Sequence, residues 1–160
     1  ITDYQPLAVN PANAVLHYAQ EIFEGLKAYR HADGSVWLFR PEENARRLNT
    51  SAKRLALPQL PEEDFLTAVR QLVATDARWV PDPGSGEKSL YLRPFMYGSA
   101  AFLGLRPSSE VKYSVIASPA ASIFTGGPKP AVASTTSTSG PSSPAGGRWP
   151  VVRCPSRATR

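Results

Sequence analysis

Two adjacent arginines, Arg46 and Arg47, lie in a stretch whose apolar spacing predicts a helix. On a helix their side chains point about 100° apart, so they cannot both share the solvated face. Arg47 adjoins Leu48 of the predicted apolar stripe, and an arginine at the edge of a buried face requires an anion. Two partners are open: a phosphate or carboxylate ligand, and a salt bridge to Glu43 one turn earlier in the helix.

A third arginine, Arg93, lies between aromatic residues in the segment SLYLRPFMYG. The alternation of a strand places Tyr91, Arg93 and Phe95 on one face of a sheet. An arginine flanked by two aromatic rings could line a pocket for a small ligand that is anionic and partly apolar. A cation–π contact at a sheet edge explains the same pattern equally well.

The remaining reactive side chains predict no second site. His17 and His31 stand in unlike contexts, without a cysteine or acidic partner at the spacing of metal ligands. The chain contains no HExxH, paired CxxC or GxSxG motif, so a metal hydrolase and a serine hydrolase are both unsupported. We therefore predict no metal site.

Local signals predict the first elements that must position these residues. An Asp33-Gly34 pair between short apolar runs predicts a hairpin with strands over 25–30 and 35–40. Two helices are predicted over 41–57 and 61–78, because each range starts with proline and acidic residues and continues with apolar residues at helical spacing.

Two further strands are predicted over 90–97 and 112–117. Pro94 lies inside the first of them and indicates an edge, a bulge or a bend, since proline cannot donate to a strand ladder. The whole pattern predicts an α+β fold in which two helices pack against a largely antiparallel sheet.

The net charge of +5 belongs to the last part of the chain. Residues 1–125 contain 13 basic and 13 acidic residues, whereas 126–160 contain five basic and no acidic ones. The predicted domain over 1–125 therefore has no basic stripe, and we expect no nucleic-acid partner. Residues 126–160 are rich in Gly, Pro, Ser and Thr, which predicts a low-complexity, disordered tail.

The sequence also predicts where the protein resides. No apolar run approaches the roughly 18 residues that span a membrane. The first 15 residues lack the basic and apolar regions of a signal peptide. The single cysteine, Cys154, excludes an intramolecular disulfide and favours a reducing compartment. We expect a cytoplasmic protein that does not contact a membrane.

Three blocks of the sequence together are similar to a known family: LHYAQEIFEGLKAYR, LFRPEENARRL and SLYLRPFMYG. They resemble the branched-chain amino acid aminotransferases, which are pyridoxal 5'-phosphate enzymes of fold type IV, over roughly residues 1–125. The resemblance implies the small amino-terminal domain of that fold, a homodimer, and amino transfer between leucine, isoleucine or valine and 2-oxoglutarate. A D-amino acid aminotransferase or an aminodeoxychorismate lyase is the alternative within the same fold, and the FEGLKAYR and LYLRP blocks disfavour both.

The resemblance implies roles for individual residues of the first two blocks. Arg47 matches the arginine that binds the cofactor phosphate in this family, which favours an anion site over the salt bridge to Glu43. Tyr18 and Phe23 match aromatic residues that line the pocket for the branched aliphatic side chain.

The third block and the segment after it match residues near the subunit boundary of the family. Tyr91 and Arg93 match strand residues that contribute to substrate binding at the dimer interface. Leu103 and Leu105 match a loop that reaches the pocket of the partner subunit.

The family's catalytic lysine, which forms the Schiff base, belongs to a GGTGxxKxxGNY-like segment of a second domain. This chain contains no such segment, and we expect it not to catalyse the reaction by itself. A non-catalytic interaction fragment is the alternative from a different functional class. None of the lysines has the required context: Lys27, Lys53, Lys88, Lys112 and Lys129.

A change of reading frame would explain the composition of the tail. Residues 138–146 read TSGPSSPAG. The family segment YVRAVPGG, written in GC-rich codons and read one nucleotide out of frame, gives TSGPSPA, which differs from these letters by one missing serine. Our hypothesis is that the frame changes shortly after Pro130.

Overall fold

The computed structural model describes residues 1–3, 5–84, 86, 88–120 and 152–154. The elements in chain order are α1 (Ala14–Tyr18), β1 (Glu21–Phe23), β2 (Leu26–Arg30), β3 (Val36–Leu38), α2 (Pro41–Arg54), α3 (Glu62–Thr75), a 3-10 turn (Ala77–Trp79), β4 (Ser89–Gly98), β5 (Val111–Ala120) and β6 (Val152–Cys154). The strands form one antiparallel sheet in the order β3-β2-β4-β5-β6, and β1 also pairs with β4. The predicted α+β class is confirmed.

The predicted hairpin is present, and its turn has the expected chemistry. β2 pairs with β3, and Tyr29 lies opposite Trp37. Gly34 has a φ of 84°, a conformation that other residues adopt only with strain. The Oδ1 atom of Asp33 accepts a hydrogen bond of 2.9 Å from the backbone N–H of Ser35. Because these contacts are all local, the sequence was sufficient to predict them.

The two long helices also follow their local signals. Pro41 is the first residue of α2 and acidic residues fill the first turn of both helices, where they oppose the helix dipole. The link between the helices is held by Asn49, which exchanges two hydrogen bonds, of 2.7 and 2.8 Å, with the backbone of Leu60. The second helix ends at Thr75, earlier than predicted, because the chain tightens there into the 3-10 turn.

The core lies between the helices and one face of the sheet. Every second residue of the strands points into it, and so does the apolar stripe of each helix. Its most deeply buried large side chains include Leu48 of α2, Phe65 and Leu72 of α3, and Leu90, Leu92, Met96 and Val115 of the sheet.

Two short elements near the start of the chain were not predicted. Helix α1 is capped by Asn13, whose side chain accepts from the N–H of Val15 and donates to the carbonyl of Ser99. Strand β1 is held by pairing with β4. Both are fixed by contacts with residues much later in the chain, and such contacts leave no local pattern.

The prediction that Pro94 marks an edge, a bulge or a bend is wrong about the edge. Pro94 lies in β4, which pairs with β5 on one side and with β1 and β2 on the other. A proline is tolerated in this central strand because its missing N–H faces the gap between β1 and β2, as described below.

Most of the segment predicted as a disordered tail, 126–160, lies outside the described residues, and so do Lys129 and the proposed frame change. The structure describes Val152–Cys154 of it, whose backbone pairs with β5. Among the described residues, no helix has the length and apolarity needed to cross a membrane.

The carboxylate that follows the last residue of α3 is buried. Asp76 follows α3 directly and is 6% exposed. Burial raises the pKa of Asp76 above its ordinary value of 3.8, and the positive charge of Arg78 only partly opposes this. The carboxyl end of a helix carries negative potential, which also disfavours the ionised form. The folded state therefore binds this proton more tightly than the unfolded chain does.

We expect Asp76→Asn to stabilise the chain at pH 7. Because the Asp76 pKa is higher in the folded chain, protonated Asp76 stabilises the fold at pH values below its ordinary pKa. This contribution is lost as the pH rises through the pKa of the folded chain. Removing the charge should raise the free energy of unfolding by about 0.5–1 kcal/mol at pH 7. The difference should shrink towards zero near pH 3, as measured by urea unfolding of both proteins at each pH. The matched control is Asp64→Asn at the other end of α3, which should instead lose stability at pH 7. Equal stability of Asp76→Asn and the parent at pH 7 would contradict the conclusion that the Asp76 pKa is raised in the folded chain.

Candidate active site

The β1 and β2 strands are two parts of one interrupted strand along β4. β1 ends with the pair Phe23–Phe95, and β2 continues on the same side of β4 in the same register. The interruption falls opposite Pro94. The N–H of Glu24 donates to the Pro94 carbonyl at 2.8 Å, but proline has no N–H to return the second bond of the pair. The ladder therefore opens at Glu24.

The side chain of Glu24 points to the helix side of this strand. Ile22 and Leu26, two residues before and after it, point to the same face and lie in the core. The Glu24 side chain itself is only 4% exposed. A buried carboxylate requires donors, and α2 supplies them. Arg47 donates from Nε at 2.8 Å and from Nη2 at 2.6 Å, and Asn44 donates from Nδ2 at 2.8 Å.

The partner of Arg47 differs from the helical neighbour considered from the sequence. Glu43 pairs with Arg46, at 2.8 Å, and with Arg40, at 3.2 Å. A residue four positions after Glu43 lies on the same helix face, but the Arg47 side chain extends to the Glu24 carboxylate of the neighbouring strand instead. The salt bridge of Arg47 is therefore with Glu24, from another element.

Arg47 is held at one edge and open at the other. The hydrogen bonds to Glu24 raise its pKa further above the usual value, so the guanidinium stays charged. A guanidinium has five N–H groups, and Glu24 occupies one on Nε and one on Nη2. The side chain is 66% exposed. Within the described part of the chain, Nη1 and the second proton of Nη2 remain open to an anion.

A cluster of arginine and aromatic rings lies on the opposite face of the sheet. The guanidinium carbon of Arg93 is 4.6 Å from the ring centre of Phe23 and 5.4 Å from that of Tyr91. Arg93 also donates to the Tyr91 hydroxyl, from Nη2 at 3.0 Å and from Nε at 3.3 Å. The sequence pattern suggested Phe95 as the second aromatic neighbour, but Phe95 stacks on Tyr97.

Gly25 allows the Tyr91 ring to lie across the interrupted strand. A Cβ atom at this position would come within 2.6 Å of the Tyr91 hydroxyl oxygen. Any larger residue would therefore displace the ring from Arg93. The two faces of the site are joined by adjacent residues of this strand. Phe23 belongs to the aromatic cluster on one face, and Glu24 pairs with Arg47 on the other.

Tyr18 belongs to a second group, formed with the segment after β4. Its ring stacks on Phe102 at 6.2 Å, and the guanidinium of Arg106 lies over the Phe102 ring, 4.0 Å from its centre. Leu103 and Leu105 of the same segment are 74% and 94% exposed. An open groove of about 330 Å³ is lined by Tyr18, Gln20, Leu55, Ala56, Leu105, Arg106 and Pro107.

Gln20 fixes this segment to the body of the protein. Its Nε2 atom donates to the Leu55 carbonyl at 2.9 Å, and its Oε1 atom accepts from the N–H of Ser108 at 3.1 Å. The sequence analysis missed Gln20, Glu24 and Asn44. For Glu24 a signal existed in the sequence. Ile22, Glu24 and Leu26 are spaced two residues apart, which places them on one strand face and predicts a carboxylate among core residues.

The seven residues proposed from the sequence therefore fall into three places. The structure brings Phe23, Tyr91 and Arg93 together on the open sheet face. It places Arg47 at the other side of the same strand. Tyr18 and Leu105 line the groove, and Leu103 is exposed but is not among its lining residues. The aromatic wall expected from Tyr18 and Phe23 is thus divided between two clusters.

Comparison with known proteins gives one consistent group of relatives. The chain is 58% identical over 130 residues to the branched-chain-amino-acid aminotransferase of Mycolicibacterium smegmatis, a match of 81% of this chain and 35% of the relative. It is 56% identical over 130 residues to a probable branched-chain-amino-acid aminotransferase of Streptomyces coelicolor, covering 81% of this chain and 36% of that relative. No protein-family profile matches the chain.

Solved structures agree with the sequence relatives. The T.th. branched-chain amino acid aminotransferase superposes with a TM-score of 0.58 at 26% identity, over 69% of this chain and 35% of that one. A second structure of that protein contains pyridoxamine 5'-phosphate. The Escherichia coli enzyme of the same name, at 23% identity and a TM-score of 0.55, shows the same fold over 71% of this chain and 35% of that one.

These matches have one limit in common, which is that the chain spans only about a third of the length of the relatives. Over that third, the identity to the two named sequence relatives is 58% and 56%, and the two named solved structures share the fold. The chain is therefore similar, in sequence and in fold, to a segment of the branched-chain-amino-acid aminotransferases that covers about a third of their length.

Proposed function

We propose that residues 1–125 form the small amino-terminal domain of a branched-chain amino acid aminotransferase and supply one wall of its active site. The reaction is amino transfer between leucine, isoleucine or valine and 2-oxoglutarate. The observation that supports it best is the arrangement around the interrupted strand. A charged, half-open Arg47 and an arginine–aromatic cluster lie at neighbouring backbone positions, Glu24 and Phe23.

Arg47 fits the phosphate group of pyridoxal 5'-phosphate. A guanidinium binds phosphate through paired N–H groups, and the edge of Arg47 that faces away from Glu24 retains such groups. The pair with Glu24 keeps the side chain charged and oriented. When bound, pyridoxal phosphate supplies the electron-withdrawing ring on which amino transfer depends.

The cluster on the open face fits the amino acid. The rings of Phe23 and Tyr91 offer apolar surface to a branched aliphatic side chain. Arg93 carries a positive charge that suits the carboxylate shared by amino acid and 2-oxo acid substrates. Its contact with the Tyr91 hydroxyl fixes both side chains before a ligand arrives. The role of this cluster is thus to bind and orient, not to move a proton.

Pyridoxamine 5'-phosphate is the probe that tests the role of Arg47, with pyridoxamine as the ligand that lacks phosphate. We expect the chain to bind the phosphorylated compound more tightly. Arg47→Ala should weaken that binding by at least about tenfold, since it removes charge-assisted hydrogen bonds. Binding is measured by NMR titration, and circular dichroism verifies that each variant is folded.

The matched control is Arg46→Ala, which removes the same charge one position away and breaks the pair with Glu43. Its affinity should stay within about twofold of the parent. Arg47→Lys serves as a second variant, because it keeps a positive partner for the buried Glu24 carboxylate. Equal binding of the two compounds, or no loss in Arg47→Ala, would show that Arg47 does not hold phosphate.

The lysine that bonds to the cofactor in the family has no counterpart among the lysines of this chain, so we propose that the 160 residues do not catalyse transfer alone. The chain incubated with pyridoxal 5'-phosphate and reduced with borohydride should show no stoichiometric labelling of a single lysine. Peptide mass spectrometry measures the label at each position. One fully labelled lysine would contradict this proposal.

The proposal extends to assembly and location. We propose a cytoplasmic homodimer in which the segment carrying Leu103 and Leu105 contacts the partner, because these two side chains are 74% and 94% exposed and apolar. Such a contact would also serve the alternative of a non-catalytic interaction fragment. The wider oligomeric surface would include the residues that the family relatives have beyond this chain.

Leu105→Ser combined with Leu103→Ser should raise the dimer dissociation constant by at least about tenfold, because each leucine buries apolar surface on association. Sedimentation equilibrium measures the constant. The control is Phe39→Ser, which removes an apolar side chain of similar exposure, 78%, between β3 and α2. A chain that is monomeric at all concentrations, or a dimer that ignores the leucine changes, would rule out this contact.

A further inference from the structure

We propose that Glu24 is a positioning residue for anion binding: it holds the Arg47 guanidinium in the orientation that presents its free edge to phosphate. The inference rests on the proposed function of Arg47 and adds a residue to it. Glu24 itself touches no ligand in this scheme. It acts through the two hydrogen bonds, of 2.8 and 2.6 Å, that it accepts from Arg47.

Glu24 is fixed from three directions. Its backbone N–H donates to the Pro94 carbonyl at 2.8 Å, which ties the residue to the central strand. Its carboxylate accepts from Asn44 Nδ2 at 2.8 Å, and the same amide reaches the carbonyl of Gly25 at 3.3 Å. Asn44 and Arg47 lie one turn apart on α2, so helix and strand hold the carboxylate between them.

Arg47 without this partner would be an exposed side chain with many rotamers. Glu24 is 4% exposed and Arg47 is 66% exposed, so the pair has a buried, rigid end and a solvated, available end. The carboxylate takes the Nε side of the fork and leaves Nη1 outward. Binding an anion then requires less loss of side-chain freedom, which is the benefit of preorganisation.

Charge and position have opposite effects on the affinity for phosphate, which makes the proposal easy to test. A carboxylate beside an anion site repels the anion, so by charge alone the loss of Glu24 should tighten phosphate binding. If Glu24 positions Arg47, its loss should weaken binding instead. The sign of the change therefore separates the two effects.

The experiment measures pyridoxamine 5'-phosphate binding to the full 160-residue chain by NMR titration. Glu24→Gln removes the charge at nearly constant shape, and Glu24→Asp keeps the charge but withdraws the carboxylate by one methylene. We expect both variants to bind roughly three- to tenfold more weakly than the parent, the range of one side chain that must be ordered on binding. Glu21→Gln removes the same charge from an exposed position of β1 and should leave the affinity within about twofold.

A second measurement does not depend on the ligand. The Nε–H group of Arg47 should have a high NMR order parameter in the parent, and this order parameter should fall in both Glu24 variants. Tighter or unchanged phosphate binding in Glu24→Gln, or an unchanged order parameter in Glu24→Asp, would overturn the positioning role. Failure of the proposed function is a different result, namely that Arg47→Ala binds as well as the parent.

Discussion

Burial of the Glu24 carboxylate is the constraint around which this domain is arranged. A charged group taken out of water costs several kcal/mol unless donors replace its hydration. Here the donors come from one face of α2, namely Asn44 and Arg47. The helix must therefore cross the sheet where β1 ends, with its amino-terminal half facing the strand. The apolar contacts of the core are compatible with several helix positions, whereas this polar contact is compatible with few.

A second constraint is the proline in the middle of β4. Pro94 removes one donor from the ladder, and the neighbouring strand opens at the position where that donor is missing. The opening allows the Glu24–Gly25 segment to turn polar atoms towards α2 and to leave room for the Tyr91 ring on the other face. A sheet defect thus produces two surfaces of different chemistry from adjacent residues. One surface is cationic and the other is aromatic.

The parts of this structure that the sequence predicted depend on neighbours in the chain. The hairpin follows from Asp33-Gly34, and α2 follows from Pro41 and its acidic first turn. The partner of Arg47 was less accessible, because Glu43 and Glu24 are both acidic and only the fold decides which of them is near. Of the edge, bulge or bend predicted at Pro94, the edge was wrong for the same reason: local rules state what a proline cannot donate, but not which strand lies opposite.

The interrupted strand also has a consequence for the order in which the site can assemble. Glu24 lies 20 residues from Asn44 and 23 from Arg47, so the members of this cluster all precede the end of α2 at Arg54. The aromatic cluster needs Tyr91 and Arg93, which arrive only after both helices. Contacts between distant positions form later than local ones, and synthesis proceeds from the amino end. The residues of the cationic surface are therefore synthesised first, but the strand that carries Pro94 must join before Glu24 is fixed, and the same strand brings the aromatic surface.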